Sequence, residues 1–139
     1  ASTEKKAIGR FGSSVKIDFL IEEVDPADYE GIFFVGGLGS LDFMENKSAQ
    51  NLTEKFIKQD KVIGAICAAP RVLLYWGVLE NEMCTGHNWD GEFPALCRQS
   101  GAIWKNEDVI ISGNFVTANG PESSENFALT FLERCAEKK

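Results

Sequence analysis

One cysteine in this chain lies where a strand pattern changes into a helix pattern. The apolar run Val62–Ile66 is typical of a buried strand and stops at Cys67, and a helix is predicted over Ala69–Trp76. A sharp turn from strand to helix lifts its side chain out of the sheet and directs the unpaired N–H groups of the first helical turn toward it. Because those groups favour a negatively charged sulfur, Cys67 is predicted to be a nucleophile.

A second interpretation of Cys67 stays open at this point. Free cysteine often behaves as a small hydrophobic residue of a core strand, with no chemistry of its own. The segment around Cys67 fits a buried structural thiol as well as it fits a nucleophile.

Two further strand ends carry glycines that bear on this choice. Gly36 and Gly37 follow one apolar run, and Gly120 with Pro121 follows another and begins the last predicted helix. The carboxyl ends of parallel strands meet at one edge of an α/β sheet, where ligands bind. We therefore expect these residues to lie around Cys67, and their convergence favours the functional interpretation.

The elements that must position these residues alternate between strand and helix patterns along the whole chain. This alternation predicts an α/β fold with a mostly parallel sheet covered on both faces, in a single domain over residues 1–139. In the first part of the chain we expect a turn or frayed start over 1–12, a half-buried strand over 15–19 and a flexible loop over 36–40. Helices are expected over 48–59 and 93–99. A last helix is expected to contribute apolar surface from Phe127, Leu129, Phe131 and Leu132.

The composition excludes several classes of partner. The 139 residues are 44% hydrophobic and 25% charged, with a formal net charge of -7. An acidic chain repels phosphate backbones and anionic lipids, so we expect neither nucleic acid nor a membrane surface as a partner. No apolar run approaches the roughly 20 residues of a membrane span, and no hydrophobic signal region is present.

The cysteines and the single histidine argue against a metal centre. The four cysteines form no Cys-x-x-Cys pair, so we predict no metal and no cofactor. Their irregular spacing does not look like a secreted disulfide framework, which predicts reduced thiols and a cytoplasmic location. Cys84, Cys97 and Cys135 are interpreted as ordinary thiols.

Three segments together resemble a known family. They are Asp-Tyr-Glu-Gly-Ile-Phe-Phe-Val-Gly-Gly at 28–37, Ala-Ile-Cys-Ala-Ala-Pro at 65–70 and Thr-Ala-Asn-Gly-Pro at 117–121. In order and spacing they resemble the ThiJ/PfpI superfamily, which is class I glutamine amidotransferase-like, and most of all its DJ-one branch. The resemblance covers nearly the whole chain, and the cysteine segment is its most specific part.

The resemblance implies a fold and a set of site residues. It implies a flavodoxin-like three-layer sandwich, a homodimer, and a nucleophile elbow with Cys67 as the reactive thiol. The backbone N–H groups of Gly37 and Ala68 would form an oxyanion pocket, and glycine at Gly36 would let the backbone approach closely.

The chain also departs from the family pattern. By this resemblance we expect the chain to be N-terminally truncated relative to the family: it would lack the usual first strand, helix and second strand, and with them the helix glutamate that contacts the cysteine. The gap is expected to expose an apolar sheet edge, which invites pairing with another chain. Ala68 stands where the protease-like branch has histidine, and the later histidine of the DJ-one branch falls near Gly101 or Ala102.

His87 is the one histidine, and it lies in a loop with Trp89. The loop follows the strand around Cys84 and is expected at the same sheet edge, so His87 could reach Cys67. A surface histidine is the favoured interpretation, because no carboxylate is placed beside it. Trp89 could line a cleft, although tryptophans more often pack in cores or interfaces.

Two kinds of function fit these residues. The first is thiol chemistry at Cys67: addition to a small carbonyl compound, glyoxalase-like or deglycase-like, or reversible oxidation by an oxidant in a sensor of oxidative stress. The alternative is a non-catalytic, degenerate family member that serves as a binding or regulatory module. A PfpI-like peptidase or amidase is disfavoured, because Ala68 cannot protonate a leaving amine.

Overall fold

The computed structural model describes residues 1–9 and 11–139 and contains eight strands and four α-helices in that part of the chain. In chain order they are β1 (Lys6–Ile8), β2 (Ser14–Lys16), β3 (Gly31–Phe34), α1 (Lys47–Lys58), β4 (Val62–Ile66), α2 (Pro70–Tyr75), β5 (Met83–Cys84), α3 (Phe93–Gln99), β6 (Ile103–Trp104), β7 (Val109–Ser112), β8 (Phe115–Ala118) and α4 (Ser124–Glu137).

The central sheet has four strands in the order β3-β4-β8-β7. The first three are parallel, with Phe34 opposite Ala65 and Ala65 opposite Thr117, and β7 runs antiparallel beside β8. A second sheet pairs β5 with β6, also in parallel. The prediction of a mostly parallel sheet is confirmed, and the carboxyl ends of β3, β4 and β8 therefore lie side by side.

Strand β4 is buried along its whole length because both faces of the sheet are covered. Ile63 and Ala65 belong to a core cluster that includes side chains of α1, α2 and α3. Val62 and Ile66 point the other way, into a cluster with α4. This alternation within one apolar run produces the three layers that the sequence predicted.

Helix α1 forms where its sequence has a cap and one apolar stripe. The Asn46 side chain accepts a 2.8 Å hydrogen bond from the Ala49 N–H, which satisfies one of the unpaired donors of the first turn. Leu52 and Phe56, one turn apart, are buried against the sheet, whereas the lysines of the helix lie outside the core.

The segment after β3 is ordered, which corrects the expectation of a flexible loop over 36–40. A 3₁₀ helix spans Leu38–Glu45, and the N–H and hydroxyl of Ser40 both donate to the Gly37 carbonyl, at 3.0 and 2.7 Å. An aromatic contact fixes the segment against strand β3, since Phe43 packs edge-on against Phe34. The sequence showed the glycines but not these contacts.

The N-terminal segment is a hairpin rather than a frayed start. Strands β1 and β2 pair antiparallel, with Ala7 opposite Val15; Arg10, which falls in the range 1–12, lies outside the described residues. The strand expected over 15–19 is present only as β2, and its expected half-burial is wrong, because Val15 is 63% exposed.

Helix α4 follows a short 3₁₀ turn over Pro121–Ser123. The buried apolar face of α4 is narrower than the sequence predicts. Phe127, Phe131 and Cys135, spaced four residues apart, are buried against the sheet. Leu129 and Leu132 were also expected to pack, but they are on the outer side and are 54% and 63% exposed. Within the described residues, no helix combines the length and apolar character needed to cross a membrane.

Candidate functional site

Cys67 has a left-handed backbone conformation with φ of 64°, which residues other than glycine rarely adopt. The turn is fixed from two sides: the Cys67 N–H donates to the Ala118 carbonyl at 2.9 Å, and the Cys67 carbonyl accepts from the His87 N–H at 2.8 Å. The residue is partly exposed, whereas the strand before it is buried. A strained, pinned and accessible cysteine at a strand-to-helix turn is the local geometry of a nucleophile elbow.

Gly36 lies directly against this turn. A Cβ added at Gly36 would stand 2.6 Å from the Cys67 Cβ, 2.6 Å from the Ile66 carbonyl oxygen and 3.1 Å from the Ala68 nitrogen. Side-chain atoms do not approach so closely, and two of these neighbours are backbone atoms that cannot move aside. Only glycine therefore fits between the end of β3 and the elbow.

The expected oxyanion donors are close to the elbow and are not otherwise engaged. Within the described part of the chain, the backbone N–H groups of Gly37 and Ala68 donate no hydrogen bond. Gly37 has φ of 100°, a conformation that favours glycine, and its carbonyl is held by Ser40. Ala68 follows Cys67 directly and Gly37 follows Gly36, which lies against the elbow, so these free N–H groups are candidates for binding a developing negative charge.

The segment Thr85–Glu92 brings His87 and Trp89 to the elbow. The two rings lie 5.5 Å apart with a 31° tilt, and both residues are exposed. A Cβ on Gly120 would be 3.8 Å from His87 Nδ1, so the glycine after β8 borders the same site. Among the described residues the imidazole makes no hydrogen bond to the Cys67 sulfur.

A buried arginine holds this segment in place, and the sequence analysis missed it. The Arg71 guanidinium, 8% exposed, donates to both carboxylate oxygens of Asp90, at 2.9 and 2.6 Å. It also donates to the His87 carbonyl at 3.4 Å and stacks on the Trp89 ring at 3.8 Å. The available signal was a single charge inside the apolar helix run Pro-Arg-Val-Leu-Leu-Tyr.

The electrostatics of this contact are pronounced. The Arg71 side chain, with a further contribution from the Glu92 N–H, lowers the pKa of Asp90 from 3.8 to about 2. The carboxylate is thus charged at neutral pH. The Trp89 ring packs on the Arg71 guanidinium, in addition to any contact it makes with a ligand in the cleft.

The predicted residues therefore gather at one edge of the sheet. Gly36, Gly37, Cys67, Ala68 and Gly120 all lie at the carboxyl ends of β3, β4 and β8, and exposed Pro121 starts the next 3₁₀ turn. Helix α2 is only six residues long, so its macrodipole is small.

A cleft also lies beside this site. It has a volume of about 440 Å³, lies beside α2 and α3, is lined by residues such as Leu74 and Leu96 and does not include Cys67. No cluster of three or more His, Cys, Asp or Glu side chains within residues 1–9 and 11–139 could hold a metal ion.

An α/β sandwich with a cysteine at the elbow of its central strand, faced by glycine junctions, defines a recognisable class of protein. The family model of the DJ-1/PfpI family, the group called ThiJ/PfpI above, matches residues 1–134. The chain belongs to the DJ-1/PfpI family.

Curated relatives agree with this assignment. The chain is 31% identical over 134 residues to MJ0967 of Methanocaldococcus jannaschii, covering 96% of this chain and 65% of that protein. It is 30% identical to Deglycase PfpI of Pyrococcus furiosus, covering 87% of this chain and 72% of the relative. The chain thus spans about two thirds of the length of these relatives.

A solved structure gives the same fold. A ThiJ/PfpI domain protein from Brachyspira murdochii superposes with a TM-score of 0.85 at 30% identity, over 95% of this chain and 75% of that chain. Oxidized DJ-1 of Toxoplasma gondii has a TM-score of 0.79 at 26% identity, over 98% and 76%. The predicted flavodoxin-like, three-layer fold is confirmed.

Proposed function

We propose that the protein is a cysteine-dependent enzyme of small carbonyl compounds, glyoxalase-like or deglycase-like, with Cys67 as the nucleophile. One observation carries the proposal. Cys67 is held at φ of 64°, and it packs against Gly36, a position at which no residue larger than glycine fits. Folded chains retain such strain where a side chain must be presented in one orientation.

The chemistry follows from the groups around the sulfur. The Cys67 thiolate attacks the aldehyde carbon, a C–S bond forms, and the C=O electron pair moves to the oxygen, which is then protonated. The N–H groups of Gly37 and Ala68, which have no other acceptor among the described residues, would stabilise the alkoxide before protonation. The product is a hemithioacetal, and no cofactor is needed for its formation.

His87 is the candidate for moving protons at this centre. Its ring borders Gly120, and its backbone is bonded to the Cys67 carbonyl, so it is close to a substrate attached at the sulfur. Pro121 and Trp89 would border the bound aldehyde. The role of His87 is secondary in this proposal, because its imidazole has no hydrogen bond to the sulfur.

The names of the relatives support the carbonyl class. Proteins from Pyrococcus furiosus and Thermococcus kodakarensis that are 30% and 28% identical to this chain are named deglycases. Addition of a thiolate to a carbonyl carbon is the reaction that an elbow cysteine supports.

The test is turnover of methylglyoxal by the purified protein, by Cys67→Ser and by Cys135→Ser. Cys135 is a buried thiol on α4 that lies against Glu30 and Gly31 at the start of β3, whereas Cys67 follows the end of β4, so it is a matched control. We expect the wild type and Cys135→Ser to be active and Cys67→Ser to be inactive. Equal turnover by all three would remove Cys67 from the reaction.

The second candidate is a redox sensor or a non-catalytic regulatory module at the same elbow. The absence of a hydrogen bond between His87 and the sulfur favours it. It predicts no turnover by the wild type, and a sensor additionally predicts oxidation of Cys67 to sulfenic or sulfinic acid by peroxide. A homodimer in the cytoplasm remains part of this proposal for either function.

A further inference from the structure

Two other cysteines lie against each other in the core. The Cys84 and Cys97 sulfurs are 3.6 Å apart, both residues are fully buried, and neither is in a disulfide. The contact joins the end of β5 to α3, across thirteen positions of the chain. The candidate site at Cys67 does not use either residue.

The backbone around both thiols is tightly fixed. The Cys97 carbonyl accepts from the Ala102 N–H and the Cys84 carbonyl from the Lys105 N–H, both at 2.9 Å. The same short segment, which contains β6, therefore holds both cysteines. The sulfurs meet because of this scaffold rather than by chance contact of mobile side chains.

The two thiols are not equivalent. The contact between the two sulfurs, together with the Arg71 and Arg98 guanidinium groups, lowers the pKa of Cys97. The same contact and burial raise the pKa of Cys84. The arginine charges near Cys97 favour it as the thiol that reacts first, with Cys84 as the thiol that resolves it.

We propose that Cys84 and Cys97 form an oxidation site at which hydrogen peroxide produces an intramolecular disulfide between β5 and α3. The Cys97 thiolate attacks one peroxide oxygen, the O–O bond breaks, and the hydroxide released takes up the proton that Cys97 lost. Cys84 then attacks the sulfenic sulfur, an S–S bond forms, and a second water leaves. Each disulfide consumes one peroxide and yields two waters.

Burial decides which oxidants can reach this pair. Both thiols have no exposed surface, so large disulfides and aromatic thiol reagents are excluded, whereas hydrogen peroxide is comparable in size to water. The site is therefore expected to respond to peroxide and not to glutathione disulfide. It does not rest on the proposed role of Cys67.

The test uses the Cys67→Ser variant, so that oxidation of the exposed thiol does not compete. The folded protein is treated with hydrogen peroxide and digested without reduction, and its peptides are analysed by mass spectrometry. We expect a linked peptide containing Cys84 and Cys97, a mass loss of about two hydrogens, and recovery of both free thiols with dithiothreitol. Glutathione disulfide should leave the pair reduced.

Cys84→Ala in the same background removes the resolving thiol, and peroxide should then leave Cys97 as sulfenic or sulfinic acid. Unmodified Cys84 and Cys97 under peroxide that fully oxidises Cys67 in the wild type would overturn the proposal. Disulfides that join either residue to Cys135 would also overturn it. The peptide map of Cys67→Ser decides the question even if the alanine variant does not fold.

Discussion

At the scale of single residues, the account depends on one strained cysteine and the glycine behind it. A left-handed conformation at a residue with a side chain costs about 1–3 kcal/mol, and Cys67 has φ of 64°. The surrounding hydrogen bonds to Ala118 and His87 keep it there. Gly36 is part of this arrangement, because the elbow occupies the space that a side chain at position 36 would need.

Gly36→Ala tests this close approach. A Cβ placed 2.6 Å from the Cys67 Cβ and the Ile66 oxygen must push the elbow away from β3. We expect a loss of about 1–3 kcal/mol in the free energy of unfolding, together with reduced turnover of methylglyoxal. Denaturant unfolding and the turnover assay measure the two effects.

Gly39→Ala is the matched control for Gly36→Ala. A Cβ on Gly39 would meet no atom within 4 Å, so a change of less than about 1 kcal/mol is expected. Equal stability of the two variants would mean that the space behind Cys67 is not occupied as described.

At the scale of elements, the segment Thr85–Glu92 is positioned by an ion pair with α2. Arg71 reaches across from α2 to Asp90, to the His87 carbonyl and to the Trp89 ring. The histidine side of the site is therefore fixed by a residue that does not face the sulfur. Arg71 is a positioning residue in this account.

Asp90→Asn keeps the shape of the side chain and removes its charge. Because folding lowers the pKa of Asp90 from 3.8 to about 2, the ion pair stabilises the protein above about pH 4 and is lost as the pH falls toward 2. We expect the variant to be less stable than the wild type at pH 7 and the difference to shrink below pH 4. Thermal unfolding of both proteins across this range measures it.

Asp42→Asn is a control for this variant, because Asp42 is exposed and has no ion pair among the described residues. This substitution should change the free energy of unfolding at pH 7 by less than about 0.5 kcal/mol. A constant difference between wild type and Asp90→Asn from pH 7 to pH 2 would contradict the assigned role of the ion pair.

The elements also show which parts could be predicted from the sequence. Strand β4, the elbow and α1 follow from hydrophobic pattern and capping, which are local in the chain. The 3₁₀ helix after Gly37 and the contact of Arg71 with Asp90 depend on partners distant in the chain, so no pattern revealed them. For the same reason the contact between Cys84 and Cys97 was missed.

At the scale of the whole molecule, the sheet separates two unequal cores. Helices α1, α2 and α3 cover the face that includes Ile63, and α4 covers the face that includes Val62. Phe131 is central to the smaller core, with its ring 5.3 Å from that of Phe33. The close packing also requires Gly64, since a Cβ there would be 2.8 Å from Phe131.

Phe131→Ala tests the contribution of the smaller core. Removing a buried phenylalanine is expected to cost about 3–5 kcal/mol in the free energy of unfolding, because Phe131 is 7% exposed. Leu132→Ala, one residue later and 63% exposed, should cost less than about 1 kcal/mol. Denaturant unfolding distinguishes them, and similar losses would contradict the assigned facing of α4.

The assembly of the molecule is still a prediction. In the described chain β3 is an edge strand, with Phe33 and Val35 52% and 69% exposed at and just after it. An exposed apolar edge of this kind is consistent with the expected sheet-edge pairing.

The most direct test of the central claim is the ratio of kcat/KM for methylglyoxal between the wild type and Cys67→Ser. If Cys67 is the nucleophile at its strained turn, the variant should lose at least about 100-fold, with Cys135→Ser within about twofold of the wild type. An active wild type and a Cys67→Ser variant of the same kcat/KM would contradict the account.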